Sequence, residues 1–68
     1  MTRNIQDFSG TAIDVGMVKA FEKFDYTEGN SSYTGIYFEF WDGTAKNVWY
    51  RSRDHRNDNY RWLIRHVS

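Results

Sequence analysis

The dipeptide Asp42-Gly43, which lies between two segments of alternating residues, constrains the fold of this chain more than any other feature. Residues 34–41 before it and residues 45–53 after it both alternate with the two-residue period of a β-strand. An Asp-Gly pair between two such segments favours a tight hairpin, because glycine accepts the positive φ that a primed turn requires. The sequence therefore predicts a β-hairpin with Gly43 in its turn.

Large aromatic side chains have to supply most of the core. They make up 19% of the 68 residues, whereas Leu63 is the only leucine. Aromatic and β-branched residues favour strands, and a chain of this length forms one domain. We therefore expect residues 1–68 to be a single small domain with a polar lead-in at 1–10. The expected fold is mainly antiparallel β, a small curled or partly closed sheet of about four strands.

Residues 11–26 fit two templates. In the helical one, apolar residues from Ile13 to Phe24 recur at helical spacing. In the strand template, Gly16 is a bulge that reverses the register. We favour a long bent strand. The alternative is an α+β fold in which a helix at 12–24 packs on a three-stranded meander.

The remaining segments are assigned from composition. Residues 28–32 and 54–59 are rich in turn-forming residues, which predicts loops. Residues 60–67 alternate and contain Tyr, Trp, Ile and Val, which favours a strand. The competing interpretation is a short helix capped by Asp58 with Leu63, Ile64 and Val67 facing inward.

Catalytic and metal-binding chemistry has little support in the sequence. Cysteine is absent, which excludes disulfides and thiolate ligands, and His55 and His66 stand outside any recognisable motif. The chain also lacks a nucleophile elbow and a phosphate loop. We expect no enzymatic activity, no cofactor and no metal site. No apolar run reaches membrane-spanning length and residues 1–10 lack a signal-like apolar region, so a cytoplasmic protein that does not enter a membrane is expected.

The net charge of zero conceals an asymmetry. Residues 1–45 contain three basic and seven acidic residues, whereas residues 46–68 contain six basic and two acidic ones. Five of those six basic residues are arginine, the residue type of planar and stacked recognition. The two halves could pair across one sheet, or the arginines could serve binding.

A candidate binding patch combines aromatic rings with arginines. If the strand alternation holds, Trp49, Arg51 and Arg53 share one face of the return strand. The full candidate set is Tyr37, Trp41, Trp49, Arg51, Arg53 and Arg61. Such a patch suits a protein-binding hot spot or the stacking of unpaired bases, and its alternative is a second core layer.

From this patch we expect a non-enzymatic binding protein with a protein partner. Small free-standing chains of this kind are frequent among phage and mobile-element inhibitors and accessory proteins. The alternative is a module that binds single-stranded nucleic acid, which the zero net charge disfavours. A homodimer formed through an uncovered strand edge is a further option.

Residues 12–53 carry features in an order that resembles part of an OB-fold. Val15-Gly16-Met17-Val18 resembles the bent first strand of that family, and residues 38–44 resemble a second strand ending in a D-G-T turn. Residues 47–51 would be the third strand. The resemblance implies single-strand binding on the second and third strands, at Tyr37, Trp41, Trp49 and Arg51. No residues are left for the closing fifth strand and the helix that the family usually has.

Overall fold

Residues 4–67 are described by a computed structural model, which contains five strands and one helix. The elements are β1 (Ile5–Phe8), β2 (Thr11–Asp14), one turn of 3-10 helix (Val15–Met17), β3 (Val18–Glu28), β4 (Ser31–Phe40), β5 (Ala45–Tyr50) and α1 (Arg53–His66). Strands β1 and β2 form a two-stranded sheet. Strands β3, β4 and β5 form a three-stranded antiparallel meander in that order.

The predicted antiparallel β class is confirmed. The strand count is five rather than four, and within residues 4–67 the two sheets remain separate and do not close into a barrel. The OB-fold resemblance therefore does not extend to the architecture. The α+β alternative also fits, since a helix packs on a three-stranded meander, but this helix is C-terminal and residues 12–24 form strands interrupted by one turn of 3-10 helix.

The predicted hairpin around Gly43 joins β4 and β5, with a different turn. Three residues, Trp41 to Gly43, connect Phe40 to Thr44. The Phe40 N–H donates to the Thr44 carbonyl at 2.9 Å, and the Gly43 N–H donates to the Phe40 carbonyl at 3.1 Å. This is a three-residue loop with Gly43 at φ +89° rather than a two-residue primed turn. The return strand ends at Tyr50, three residues earlier than expected.

Two further two-residue turns connect consecutive strands. Ser9 and Gly10, both at positive φ, join β1 to β2 within the predicted lead-in. Gly29 and Asn30 join β3 to β4, because Glu28 pairs directly with Ser31. The predicted loop at 28–32 is therefore a two-residue turn between two long strands.

The favoured bent strand at 11–26 is confirmed in outline, with one interruption. The 3-10 turn separates β2 from β3, and the Asp14 carboxylate caps it by accepting from the Gly16 N–H at 3.1 Å. The register shift expected at Gly16 occurs instead between Val18 and Ala20. That bulge turns Phe21 towards the core.

The predictions of a loop at 54–59 and a strand at 60–67 are wrong. Ser52 is the N-cap of α1, and its hydroxyl accepts from the N–H groups of Asp54 and His55. The inward positions Arg56, Tyr60 and Leu63 follow helical spacing. Because the first of them is an arginine, no apolar period was visible at the start of the helix.

The core lies between one face of the meander and the layer formed by α1 and the β1–β2 hairpin. Phe8 packs its ring against Phe38 at 5.5 Å and against Trp62 at 5.9 Å, which ties hairpin, sheet and helix together. The buried apolar residues are Phe8, Ile13, Val15, Val18, Ile36, Phe38, Val48, Tyr50 and Leu63. The opposite face of the meander carries none of them.

Candidate functional site

The outer face of the meander, on the side away from α1, is the candidate site and is called the open face below. Cross-strand partners in an antiparallel sheet share a face. Ile36 and Val48 pair on the buried side, so Gly35 and its partners Phe24 and Trp49 lie on the other side. The aromatic side chains of the open face are those of Phe24, Tyr26, Tyr33, Tyr37 and Trp49.

Gly35 lets the rings of neighbouring strands meet over the middle strand. A Cβ atom at this position would lie 2.6 Å from Phe24 Cζ and 2.4 Å from the Val48 carbonyl oxygen. The Phe24 ring thus occupies the space of the missing side chain and contacts Trp49 edge to face, with centroids 5.0 Å apart. The contact with Phe24 consequently supports the Trp49 ring on the surface of the sheet.

Three rings are strongly exposed at the end of the open face that lies away from the Gly43 turn. Tyr26, Tyr33 and Trp49 are 50%, 44% and 50% exposed. Tyr33 stacks on Tyr26 with centroids 6.2 Å apart and meets Trp49 nearly at right angles at 5.9 Å. With Glu28 they line a hollow of about 390 Å³. These four residues are called the ring hollow below.

The open face carries more acidic than basic residues. Glu22 and Glu39 lie on it by register, beside Tyr37 and Ala20, and Glu28 lines the ring hollow. Lys19 lies beside it, and its Nζ is 3.9 Å from Glu39 and 5.7 Å from the centroid of the Trp41 ring. The electrostatic environment of this face is therefore acidic.

The aromatic part of the predicted patch largely comes together. Trp49 and Tyr37 lie on the open face, and Trp41, 66% exposed, lies in the turn at its other end. Phe24, Tyr26 and Tyr33 belong to the same surface but were not in the predicted set. The sequence signal for them is strand alternation. Phe24 and Tyr26 are two residues apart in one strand, and Tyr33 and Gly35 are two residues apart in the next.

The predicted arginines do not share the Trp49 face. β5 ends at Tyr50, so Arg51 lies beyond the strand and Arg53 is the first residue of α1. Arg53 Nε lies 3.7 Å from an Asp25 carboxylate oxygen. Arg61 lies on the solvent side of the helix, paired with Asp58. A chain reversal at Ser52 therefore separates residues that a longer strand would have aligned.

Arg56 holds the helix to the sheet, and the sequence did not reveal it. It is only 5% exposed. Its Nη1 donates to the Phe24 carbonyl at 3.3 Å and to Asp25 Oδ1 at 3.4 Å, and its Nε donates to Asn57 Oδ1 at 3.0 Å. A hydrogen bond from Thr34, together with the charges of Arg56 and Arg53, holds the pKa of Asp25 below its usual value.

A polar groove lies beside the ion pair of Arg56 and Asp25, next to the first residue of α1. It encloses about 340 Å³ and is lined by Asp25, Thr27, Ser32, Arg51 and Arg53, among others. Both Arg53 and the deeper Arg56 already face the Asp25 carboxylate. The groove is thus a polar surface with two arginines, Arg51 and Arg53, against one carboxylate.

The two histidines lie near opposite ends of α1. His55 meets the Tyr50 ring edge to face at 5.0 Å, and His66 stacks on Trp62 at 4.3 Å while its Nδ1 lies 2.9 Å from the Trp62 carbonyl. Within residues 4–67 no cluster of three or more histidine or carboxylate side chains is arranged to hold a metal ion.

Comparison of the chain with models of protein families, with curated proteins and with solved structures yields no match. The helix in the described range is not long and apolar enough to cross a membrane. The candidate site is therefore judged on its own geometry.

Proposed function

We propose that this chain is a non-enzymatic binding protein that docks its open face on a protein partner. The observation that carries the proposal is the exposure of Tyr26, Tyr33 and Trp49 on the side of the meander away from the core. A contiguous ring surface of this kind is typical of interaction sites, and Trp and Tyr dominate binding hot spots. The partner surface that suits it is apolar at its centre and basic at its edge, complementary to Glu22, Glu28 and Glu39.

The charge distribution favours a protein over a nucleic acid. A single-strand binder needs cations beside its stacking rings to meet the phosphates. Here the charged residues on the face itself are the acidic Glu22, Glu28 and Glu39. Arg53 and Arg61 are paired with Asp25 and Asp58, and Arg51 lines the polar groove next to Tyr33. Binding of single-stranded nucleic acid is therefore the second candidate.

The non-enzymatic part of the proposal is supported by the placement of the titratable groups. His55 and His66 are eleven residues apart on one helix, about 16 Å along its axis. Neither faces the ring hollow, whose lining residues are three rings and one carboxylate. The proposal also includes a cytoplasmic location, which fractionation of cells expressing the tagged full chain would test.

The test compares two variants of the tagged full chain in nuclease-treated lysate. Trp49→Ala removes the central ring, and Arg65→Ala alters the exposed helix surface as the matched control. A partner that docks on the open face is captured by wild type and by Arg65→Ala, and its Kd rises about 30-fold or more with Trp49→Ala, which corresponds to about 2 kcal/mol. Equal capture by all three forms would refute the proposal.

Two further measurements separate the other candidates. Tryptophan fluorescence is titrated with single-stranded oligonucleotides at two salt concentrations. Tight binding that weakens by a slope of about −0.7 per neutralised phosphate would establish the nucleic-acid reading instead. Sedimentation of the chain alone over a range of concentrations tests the homodimer. A dimer broken by Trp49→Ala would mean that the open face binds a second copy.

A further inference from the structure

The ring hollow has its own combination of interacting groups within the open face. Tyr26, Tyr33 and Trp49 form three of its walls, and Glu28 supplies the fourth. Tyr33 and Trp49 stand at 82° to each other, so the face of one ring and the edge of the other border the same space. The lining therefore combines aromatic π surface with one carboxylate.

This combination of aromatic rings and one carboxylate favours an organic cation over an anion or a neutral group. The faces of aromatic rings carry negative electrostatic potential, which attracts an ammonium group within about 6 Å of the ring centroid. A carboxylate adds charge attraction. An anion would be repelled by both, and a neutral apolar group would gain nothing from Glu28. Among residues 4–67, no basic side chain lies within ion-pair distance of Glu28.

The chain itself places lysines over rings elsewhere. Lys19 Nζ lies 5.7 Å from the Trp41 centroid, and Lys23 Nζ lies 5.0 Å from the Tyr60 centroid. In the described part of the chain, no comparable lysine or arginine lies over the rings of the hollow. These rings are therefore accessible to a cation from another molecule.

We propose that the ring hollow binds the ammonium end of a lysine side chain, plain or methylated, on the protein partner. This rests on the proposed function and names the anchor that the partner inserts. The hollow is shallow and lies on the sheet surface, which suits a side chain presented from a docked protein, whose remaining contacts hold it in place. Several rings bordering one space are also the arrangement by which proteins recognise methylated ammonium groups.

The experiment uses three blocked amino acids as probes: N-acetyl-trimethyllysine methylamide, the corresponding lysine compound and the neutral norleucine compound. Each is titrated into the full chain by proton NMR. Cation binding shifts the probe's methyl or ε-methylene protons upfield and moves the Trp49 indole N–H resonance. We expect the better of the two cations to bind at least about tenfold more tightly than norleucine. Equal binding of all three probes would overturn the proposal.

Variants then assign the site. Glu28→Gln and Tyr33→Leu, both at exposed positions, should each weaken cation binding about threefold or more. Asp54→Asn removes an exposed carboxylate on the helix and should leave it unchanged. A two-dimensional amide spectrum of each variant confirms that it is folded. Cation binding that survives in both hollow variants would refute the assignment.

The outcomes also distinguish the two proposals. If the partner requires Trp49 but the cationic probes do not bind, the docking face stands and the lysine anchor is wrong. If the probes bind at the hollow but Trp49→Ala captures the partner as well as wild type does, the cation site stands and the proposed docking function is wrong.

Discussion

The ring of Phe24 lies against Gly35, its partner across β3 and β4, so closely that a Cβ at position 35 would lie 2.6 Å from Phe24 Cζ. The Val48 carbonyl oxygen closes the same space from the other neighbouring strand at 2.4 Å. Glycine is required here because of packing and not because of φ. The open face is therefore built around one residue that has no side chain.

Gly35→Ala should destabilise the protein by about 1–3 kcal/mol, because Phe24 and the Val48 peptide both have to shift. Urea unfolding monitored by circular dichroism measures the loss. Gly16→Ala is the matched control, since its nearest neighbour is the Asp14 carboxylate at 3.3 Å. An equal loss in the two variants would contradict the packing of Phe24 on Gly35.

Gly43→Val should destabilise the protein by about 1–3 kcal/mol, because a β-branched residue resists the φ of +89° found there. The open space around Gly43 means that the loss comes from the backbone and not from a clash. Thermal melting of this variant is compared with that of Ala45→Val, the same side chain at a strand position. An unchanged melting temperature in Gly43→Val would contradict the assignment of the turn.

Asp25→Asn should lower stability at neutral pH, and the difference from wild type should shrink in acid. The pKa of Asp25 is lowered in the folded protein, so its stabilising effect is complete above the unfolded value near 3.8 and is lost as pH falls through the folded pKa. Urea unfolding at pH 7 and pH 2.5 measures both differences. A pH-independent difference would contradict the lowered pKa of Asp25.

Tyr50→Phe should cost about 1 kcal/mol at pH 7, because the Tyr50 hydroxyl donates to Asn59 Oδ1 at 2.8 Å. Burial, with the Asp7 charge, raises the pKa of Tyr50 to about 12. The folded state therefore keeps this proton, and its stabilising effect is complete below pH 10 and is lost as pH rises towards 12. Denaturation at pH 8 and pH 11 should show a smaller alkaline loss in Tyr50→Phe than in wild type. An equal alkaline loss in the two proteins would contradict the raised pKa of Tyr50.

The strands of the meander could be predicted from the sequence because the alternation that marks a strand involves only neighbouring residues. Alternation in residues 34–40 and 45–50 determines which side chains share a face, and Gly43 marks the reversal between them. The bent path of 11–26 was recognised for the same reason, although its bulge lies at Val18–Ala20 and not at Gly16. Trp49 and Tyr37 could thus be placed on one surface before the fold was known.

The C-terminal segment could not be assigned in this way. Residues 60–67 alternate like a strand, yet residues 60–66 are helical, because the Ser52 cap and the burial of Arg56 against β3 outweigh local preference. A buried arginine has no apolar signature in the sequence, and its partners at Phe24 and Asp25 are about thirty residues away along the chain.

The sequence alone determined the antiparallel class, the hairpin at Gly43 and the alternating faces, since each depends on neighbours within a few residues. Only the tertiary structure decided which face is covered. Helix α1 and the β1–β2 hairpin pack on Ile36, Phe38 and Val48, which leaves the Trp49 side exposed. The tertiary structure also places the start of α1 after Ser52, which takes Arg51 and Arg53 off the Trp49 face. Burial of one face of a sheet is a property of the whole chain and not of any single strand.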